Sequence, residues 1–312
     1  MEFTVSKRAQ EYIESIKEKP HRGKGFGFVE MEQGTQEWRD YRNSRIGASD
    51  VPIIVGASPW STPLQLMKQK LGLRSSKPSA NMLAGIEKED EIRDACNREL
   101  GFSFKPVVIE RIDIDWAMAS LDGYDHLTGA GLEIKLANKD DFAMCMEDVV
   151  TPKYVPQLTW QCYVMESPSV LFACMNRGHV AVALYDVVPD DIILYFSQCH
   201  EFHEMMIEGE LPPPCDRDYV EIEDPSFQLA ADAWLHANMK LKQAQDNEKL
   251  WRDELIKHTD DGNCCGYGVK LNRIKRDGVV DWQQLCTDRG ISIETIEKYR
   301  KPQIGYWKVS PM

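Results

Sequence analysis

The chain has 312 residues, of which 43% are hydrophobic and 28% are charged, and its formal net charge is −13. This composition argues against wholesale disorder, and the length allows one large domain or two ordinary ones. There is no apolar run near eighteen residues, no secretory signal pattern and no paired cysteine motif, so we expect no membrane segment, reduced thiols and a cytoplasmic location.

The first half of the chain predicts three helices and three strands. Glycines at 23, 25 and 27 indicate a flexible link after the first helix, and Gly101 is placed as a stop for the third. The helices are expected at residues 1–20, 35–44 and 81–100, and the strands at 104–111, 115–121 and 131–137.

The second half contains the clearest boundary, three consecutive prolines at 212–214, because proline ends helices and stiffens linkers. Before it we expect a helix at 154–165, paired strands at 169–175 and 180–188, and a helix at 189–209. We therefore predict a core domain at residues 1–211 and a C-terminal α+β appendage at residues 215–312. The appendage should hold a long helix at 225–258, a hairpin of 267–274 and 279–282 around 275–278, a helix at 292–299 and a strand at 306–309.

Three charged residues on two neighbouring predicted strands suggest a chemistry. The turn formers at 125–131 predict a hairpin that brings Asp122 beside Glu133. Strand side chains alternate between faces, so Glu133 and Lys135 should share one face while Ile134 enters a core. Two carboxylates suit Mg²⁺ or Mn²⁺, which can stabilise an attacking hydroxide. The pattern alone also fits a solvated face on which Lys135 is only an ion-pair partner of Glu133.

Four sequence blocks in a fixed order, within roughly residues 35–205, resemble lambda exonuclease and the YqaJ-type phage recombinases. These proteins form a branch of the PD-(D/E)xK nucleases. The blocks are Trp38–Arg42 with Arg45–Asp50 and Gly56–Pro63, then Gly85–Glu89, then Ser120–Gly123 with Glu133–Lys135, and finally Tyr154–Gln161.

The resemblance implies an α/β fold, with a restriction-endonuclease-like core in which helices flank a mixed central sheet. It also implies roles for individual residues near the catalytic centre. Asp122, Glu133, Glu89 and the backbone carbonyl of Ile134 would hold the metal, Lys135 would orient or activate the attacking water, and Gln157 would lie beside them. Without the resemblance, Glu89 would be interpreted as part of a solvated helix face.

The resemblance further implies contacts to DNA. Arg42 and Ser49 match positions that hold a 5′-terminal phosphate, for which a guanidinium and a hydroxyl are suitable ligands. Met82 and Leu83 match an apolar wedge that unstacks the end of the duplex. The sequence alone would favour a surface arginine, a helix-capping serine and two residues that pack in a helix core.

The function implied is a Mg²⁺-dependent 5′-to-3′ exonuclease that digests double-stranded DNA from a 5′-phosphorylated end. It would release 5′ mononucleotides, leave 3′ overhangs, work as a homotrimer and serve a phage single-strand annealing protein in the bacterial cytosol. The acidic net charge opposes DNA binding only weakly, because local fields decide it. A structure- or sequence-specific endonuclease and a non-catalytic DNA-end-binding subunit remain alternatives.

Overall fold

A computed structural model describes residues 2–74, 80–219, 222–259, 262–274, 278, 282–292, 295 and 298–299. The chain divides into two compact units, Met1–Tyr219 and Val220–Met312. The predicted strand at 306–309 lies outside the described residues, as do half of the predicted helix at 292–299 and most of the predicted strand at 279–282.

The first unit is built on an eight-stranded mixed sheet. The strands are β1 Glu2–Val5, β2 Phe26–Val29, β3 Ile46–Gly47, β4 Lys105–Arg111, β5 Ala117–Tyr124, β6 Gly131–Leu136, β7 Ser169–Asn176 and β8 His179–Asp186. Their order in the sheet is β1-β8-β7-β6-β5-β4-β2, with β3 paired to β5. Strand pairs β1/β8, β3/β5 and β6/β7 are parallel, and the other pairs are antiparallel. The predicted α/β class with a mixed central sheet is confirmed.

Helices connect these strands, and several begin at a side chain that caps the first turn. Ser6, Thr35, Thr62 and Asn138 each accept a hydrogen bond from a backbone N–H of the helix that follows. The helices are α1 Lys7–Glu18, α2 Gln36–Asn43, α3 Val51–Ile54, α4 Pro63–Lys70, α5 Ala80–Leu100, α6 Lys139–Met146, α7 Val155–Met165 and α8 Pro189–Glu208.

The sheet is covered on both faces, and β7 illustrates this most directly. Its residues 170, 172 and 174 belong to a core shared with α7 and α8, whereas residues 171, 173 and 175 belong to a second core shared with α1 and α5. A strand buried on both faces has a nearly continuous apolar sequence, as Val170–Met175 does. The layered packing therefore fixes which face of each neighbouring strand meets α7.

The prediction of a helix over residues 1–20 is wrong at its start. Glu2–Val5 forms a strand that pairs in parallel with His179–Val182 of β8, and Ser6 then caps α1. Phe3 and Val5 pack against the core that α1 covers, so burial decides the conformation of this segment. The predicted glycine-rich link is also shorter than expected, because Phe26 already begins β2.

The second unit contains α9 Pro225–Lys257, the hairpin strands β9 Cys264–Gly266 and β10 Val269–Leu271, and α10 Trp282–Asp288. The predicted turn at 275–278 lies, except for Gly278, outside the described residues. The predicted strand at 267–274 is wrong at its start, because the chain reverses at Tyr267 and Gly268 between β9 and β10. Both residues have positive φ, 51° and 80°, as a two-residue hairpin loop of type I′ requires. Among the described residues, none of the helices combines the length and apolar character that crossing a membrane requires.

Candidate active site

Strand β5 changes its neighbour on one side close to Asp122. Ala117 and Met118 pair with β3, whereas Gly123 and Tyr124 pair with β6. The sheet therefore forks at this point, and Asp122 lies in the fork.

The other side of β5 is irregular at the same place. Tyr124 pairs with Lys105 and Leu121 pairs with Val107, so Pro106 alone faces both Asp122 and Gly123. Proline has no N–H to complete the ladder there. Such a bulge interrupts the alternation of side chains and re-aims the residue that it contains. The bulge thus helps to set the direction of the Asp122 carboxylate.

The hairpin predicted from the sequence brings β5 and β6 together at the expected residues. Asp122 Oδ2 accepts a hydrogen bond of 2.7 Å from the backbone N–H of Ile134. Glu133 and Lys135 share a face, since Lys135 Nζ donates to Glu133 Oε1. Ile134 is buried in the opposite core. The structure therefore gathers Asp122, Glu133 and Lys135 as expected, and their catalytic roles stay predictions.

Helix α7 holds both oxygens of the Glu133 carboxylate, which is only 1% exposed. Gln157 Nε2 donates to Oε1 at 2.6 Å, and Gln161 Nε2 donates to Oε2 at 2.5 Å. Gln157 was expected near the site, but Gln161 was missed. Their four-residue spacing, which places both on one helix face, is the signal that could have revealed it.

Helix α5 contributes Glu89, which the resemblance placed near the metal. Glu89 Oε1 accepts from the Arg93 guanidinium at 2.5 Å, and the same guanidinium pairs with the exposed Asp90 at 2.5 Å. Arg93 also donates to the backbone carbonyl oxygen of Asp122. Arg93 therefore links α5 to β5 at the fork of the sheet. Sequence reasoning did not identify this arginine.

The electrostatics of the site follow from the burial of Asp122 and Glu89 and from the charge of Glu133, which acts on both. Burial raises the pKa of Asp122 well above its ordinary range, and the charges of Glu133 and Glu89 raise it further. Burial also raises the pKa of Glu89, where Glu133 adds to the effect and Arg93 opposes it. Burial alone would lower the pKa of Lys135, but the carboxylates of Glu133 and Asp122 outweigh it and raise that pKa. Lys135 is therefore a stable ammonium.

The carboxylate oxygens of Asp122, Glu133 and Glu89 are chemically suited to bind a hard divalent cation. Carboxylate oxygens are the ligands that Mg²⁺ prefers, and a cation would relieve the repulsion that raises these pKa values. Within the described residues, however, no three His, Cys, Asp or Glu side chains converge closely enough to hold a metal ion. A cation would have to draw the three carboxylates together.

The structure also brings together the two residues expected at a terminal phosphate. The Arg42 guanidinium donates to Ser49 Oγ at 2.7 Å and pairs with Asp50 Oδ1 at 2.5 Å. Asp50 is 1% exposed, and Lys70 Nζ lies 2.8 Å from its other oxygen. Burial alone would raise the pKa of Asp50, but the charges of Arg42 and Lys70 prevail and lower it. The sequence did not reveal that Asp50 and Lys70 support Arg42.

The Arg42–Ser49 pair is connected to Asp122 through the pairing of β3 with β5. Arg42 and Ser49 flank β3, whose Gly47 pairs with Met118 of β5. Asp122 follows four residues later on β5, which is about 13 Å at the rise of a strand. The fork thus separates the carboxylates from the candidate phosphate ligands by a short distance.

The predicted wedge lies at the start of α5. Leu83 is 47% exposed, so it does not pack in a helix core. The Met82 side chain lies outside the described residues. The wedge therefore stays a prediction.

Residues 37–167 match the YqaJ-like viral recombinase domain, and this range includes every predicted site residue. The match confirms the resemblance to YqaJ-type recombinases that the sequence predicts. Among solved structures, the alkaline exonuclease LHK-Exo from Laribacter hongkongensis is 19% identical, with a TM-score of 0.48, over 56% of this chain and 94% of that one. A phage related exonuclease from Haemophilus somnus 129PT is 10% identical, with a TM-score of 0.40, over 53% of this chain and 96% of that one. A comparison with curated proteins gave no match.

Proposed function

We propose, from the match of residues 37–167 to the YqaJ-like viral recombinase domain, that the chain is a metal-dependent 5′-to-3′ exonuclease of double-stranded DNA. The family match supports a nuclease role. The single observation that carries the proposal is the cluster at the fork, where Asp122, Glu133 and Lys135 meet beside Glu89. The proposed products are 5′ mononucleotides and a 3′ single-stranded overhang, for phage recombination by strand annealing.

The cluster contains residues for each task in phosphodiester hydrolysis. Asp122, Glu133, Glu89 and the Ile134 carbonyl would hold Mg²⁺, for which Mn²⁺ could substitute. When bound, such a cation polarises the phosphate and lowers the pKa of a bound water. The Lys135 ammonium can donate a hydrogen bond to the attacking water or to a phosphate oxygen, because its raised pKa keeps it protonated.

The two glutamines of α7 act through Glu133 and not on the substrate. Each donates to a different oxygen of its carboxylate, so the pair fixes the plane of that group. Hydrogen bonds to a charged acceptor hold orientation more firmly than neutral ones. We regard Gln157 and Gln161 as positioning residues.

A 5′-terminal phosphate would bind at Arg42 and Ser49. Asp50 and Lys70 fix the arginine from the buried side, which prepares its guanidinium before DNA arrives. Leu83, together with Met82, would enter the end of the duplex as the wedge.

The remaining parts of the proposal concern assembly. The protein would act as a homotrimer in the cytosol of the bacterial host and pass the overhang to a phage annealing protein. Residues 1–211 would form the nuclease core, and residues 215–312 an appendage to which no chemistry is assigned.

The proposal is tested with linear duplexes bearing 5′-phosphate or 5′-hydroxyl ends, beside a closed circle, in Mg²⁺ or EDTA. We expect mononucleotide release from the phosphorylated end in Mg²⁺ alone. Asp122→Asn and Glu133→Gln should abolish release, whereas Asp90→Asn, at a carboxylate whose side chain is 87% exposed on α5, should not. Cutting of the closed circle would favour the endonuclease, and binding of ends without cleavage would favour the non-catalytic subunit.

A second test concerns the end phosphate. Arg42→Ala removes a charge-assisted contact worth roughly 1.5–3 kcal/mol, or about ten- to a hundredfold in affinity, so phosphorylated and hydroxyl ends should be digested at similar, reduced rates. Arg42→Lys keeps a charge beside Asp50 but loses the planar fork, and Arg39→Ala changes an exposed arginine of the same helix. A preference for phosphorylated ends that survives Arg42→Ala would remove the phosphate site.

A further inference from the structure

One large aromatic side chain beside the candidate active site is exposed without an evident structural need. Trp60, between α3 and α4, is 68% exposed. Its neighbours Ser58 and Thr62 are buried, at 4% and 1%. The chain thus turns the small polar side chains of this loop inward and presents its largest apolar one to solvent.

The loop that carries Trp60 is held by hydrogen bonds. Ser58 N–H donates to the Pro52 carbonyl at 2.8 Å, and Trp60 N–H donates to Ser58 Oγ at 3.2 Å. The Arg217 guanidinium donates to the carbonyls of Ser58 at 2.7 Å and Ser61 at 3.3 Å. The backbone beneath the indole is therefore fixed before any ligand arrives, which lowers the entropy cost of binding to the ring.

The Trp60 ring lies close to Lys135. Its centroid is 6.5 Å from that of Tyr154, and the Tyr154 ring is 5.8 Å from Lys135 Nζ. Since bases in one strand repeat about every 3.4 Å when stacked, these two distances place the indole within a few nucleotides of Lys135.

The surroundings of the indole also carry positive charge. Lys153 Nζ lies 5.3 Å from the Trp60 ring centroid and 5.0 Å from that of Tyr154. Asp141 holds this ammonium in place at 2.5 Å. Aromatic rings that stack on bases, set among lysines that attract the backbone, are the usual means by which proteins grip a single strand.

We propose that Trp60 is a stacking platform for an unpaired nucleobase of the DNA strand that is cleaved at the cluster of Asp122, Glu133 and Lys135. This inference rests on the proposed function, because it takes DNA as the ligand of the neighbouring site. The contact is independent of base identity, since every base has a flat face. Trp60 would thereby fix the position of the strand during cleavage.

The experiment measures binding of single-stranded oligonucleotides carrying 2-aminopurine, a base whose fluorescence falls when it stacks, at successive positions. Binding is measured in Ca²⁺, so the result does not depend on turnover. Trp60→Ala should weaken binding about five- to a hundredfold, the range expected for loss of one base stack, and should abolish quenching at one position of the probe. Trp60→Phe should restore part of both. Trp251→Ala, at a tryptophan that is 65% exposed on α9, is the matched control.

Unchanged affinity and quenching in Trp60→Ala would overturn the proposal, as would an equal loss in Trp251→Ala. If the wild-type protein cleaves DNA and Trp60→Ala binds it like wild type, the stacking proposal alone is refuted. A wild-type protein that neither binds nor cleaves DNA would remove the proposed function as well.

Discussion

Lys70→Met should strongly destabilise the first unit, because it removes a cation from a buried cluster. Lys70 Nζ lies 2.8 Å from Asp50 and also donates to the backbone carbonyls of Arg42 at 3.1 Å and Arg45 at 2.6 Å. The side chains of Lys70 and Asp50 are 2% and 1% exposed. Removing one partner of a buried pair costs about 3–5 kcal/mol; here Asp50 keeps Arg42 beside one oxygen but loses the cation at the other, and two backbone carbonyls lose the Lys70 donor.

Scanning calorimetry of the whole chain measures the effect. At about 2–4 °C per kcal/mol for a unit of this size, we expect the Tm of the first unit to fall by roughly 6–20 °C. Lys68→Met, two residues earlier on α4 and half-buried, should change stability by less than about 0.5 kcal/mol. Asp50→Asn in the Lys70→Met background should recover part of the lost stability, because the amide places no negative charge in the buried site.

A cost below about 1 kcal/mol for Lys70→Met, or no recovery in the double variant, would refute this account of the cluster. The two changes touch the same network, so their coupling is the informative quantity. Such a result would also weaken the claim that Asp50 and Lys70 prepare Arg42 for a phosphate.

Three further substitutions, at Gln161, Gly123 and Asp125, should have measurable effects on cleavage or stability. Gln161→Leu should slow cleavage about ten- to a hundredfold while DNA binding in Ca²⁺ persists, because one charge-assisted bond to Glu133, worth roughly 1.5–3 kcal/mol, is lost; equal rates would reduce Gln161 to packing. Gly123→Ala should cost about 1–3 kcal/mol in urea unfolding, because the added Cβ would lie 2.9 Å from Phe104 Cβ and 3.1 Å from Leu132 Cβ. Asp125→Ala should cost about 3 kcal/mol, because this buried carboxylate accepts bonds of 2.8 Å from Ser103 N, Thr128 N and Thr128 Oγ1 and of 3.1 Å from Leu127 N. Burial raises the pKa of Asp125 but these bonds prevail and lower it, so the cost is fully present above the ordinary carboxyl pKa of about 3.9 and should shrink as the pH falls below it.

Local signals were sufficient for much of the first unit. The helix at 155–165 and the strands at 105–111 and 131–136 follow from periodicity and turn residues. That Glu133 and Lys135 lie on the same face of β6 could be predicted from the alternation of side chains along a strand. These features depend on neighbours in sequence, which is why the sequence could predict them.

Long-range contacts explain what the sequence could not predict. Glu2–Val5 is a strand because its partner is β8, and four residues carry too little pattern to reveal that. The position of Asp122 at a bulge depends on Pro106 of another strand. Asp50 and Lys70 are ordinary charged residues until folding buries them together.

The start of the predicted strand at 267–274 is wrong for a different reason. Asp277-Gly278 is the stronger turn signal in composition, so Tyr267-Gly268, where the chain turns between β9 and β10, was assigned to a strand. Only glycine adopts positive φ at no steric cost. Tyr267 nevertheless has a φ of 51°. A bulky residue in this conformation is uncommon, so rules of composition overlooked it.

The pairing of β1 with β8 has a consequence for how the chain folds as it is made. Thr4 and His179, whose side chains hydrogen-bond at 2.8 Å, are 175 residues apart. At about 5–20 residues per second, a ribosome needs roughly 10–40 s after making β1 before β8 is available. During that interval Phe3 and Val5 lack the core that later covers them, and a nascent chain halted before residue 179 exposes both. Residues 2–5 are thus among the last of the first unit to reach their place, and until they do, His179–Val182 of β8 lie unpaired at the edge of the sheet, where another chain could pair with them.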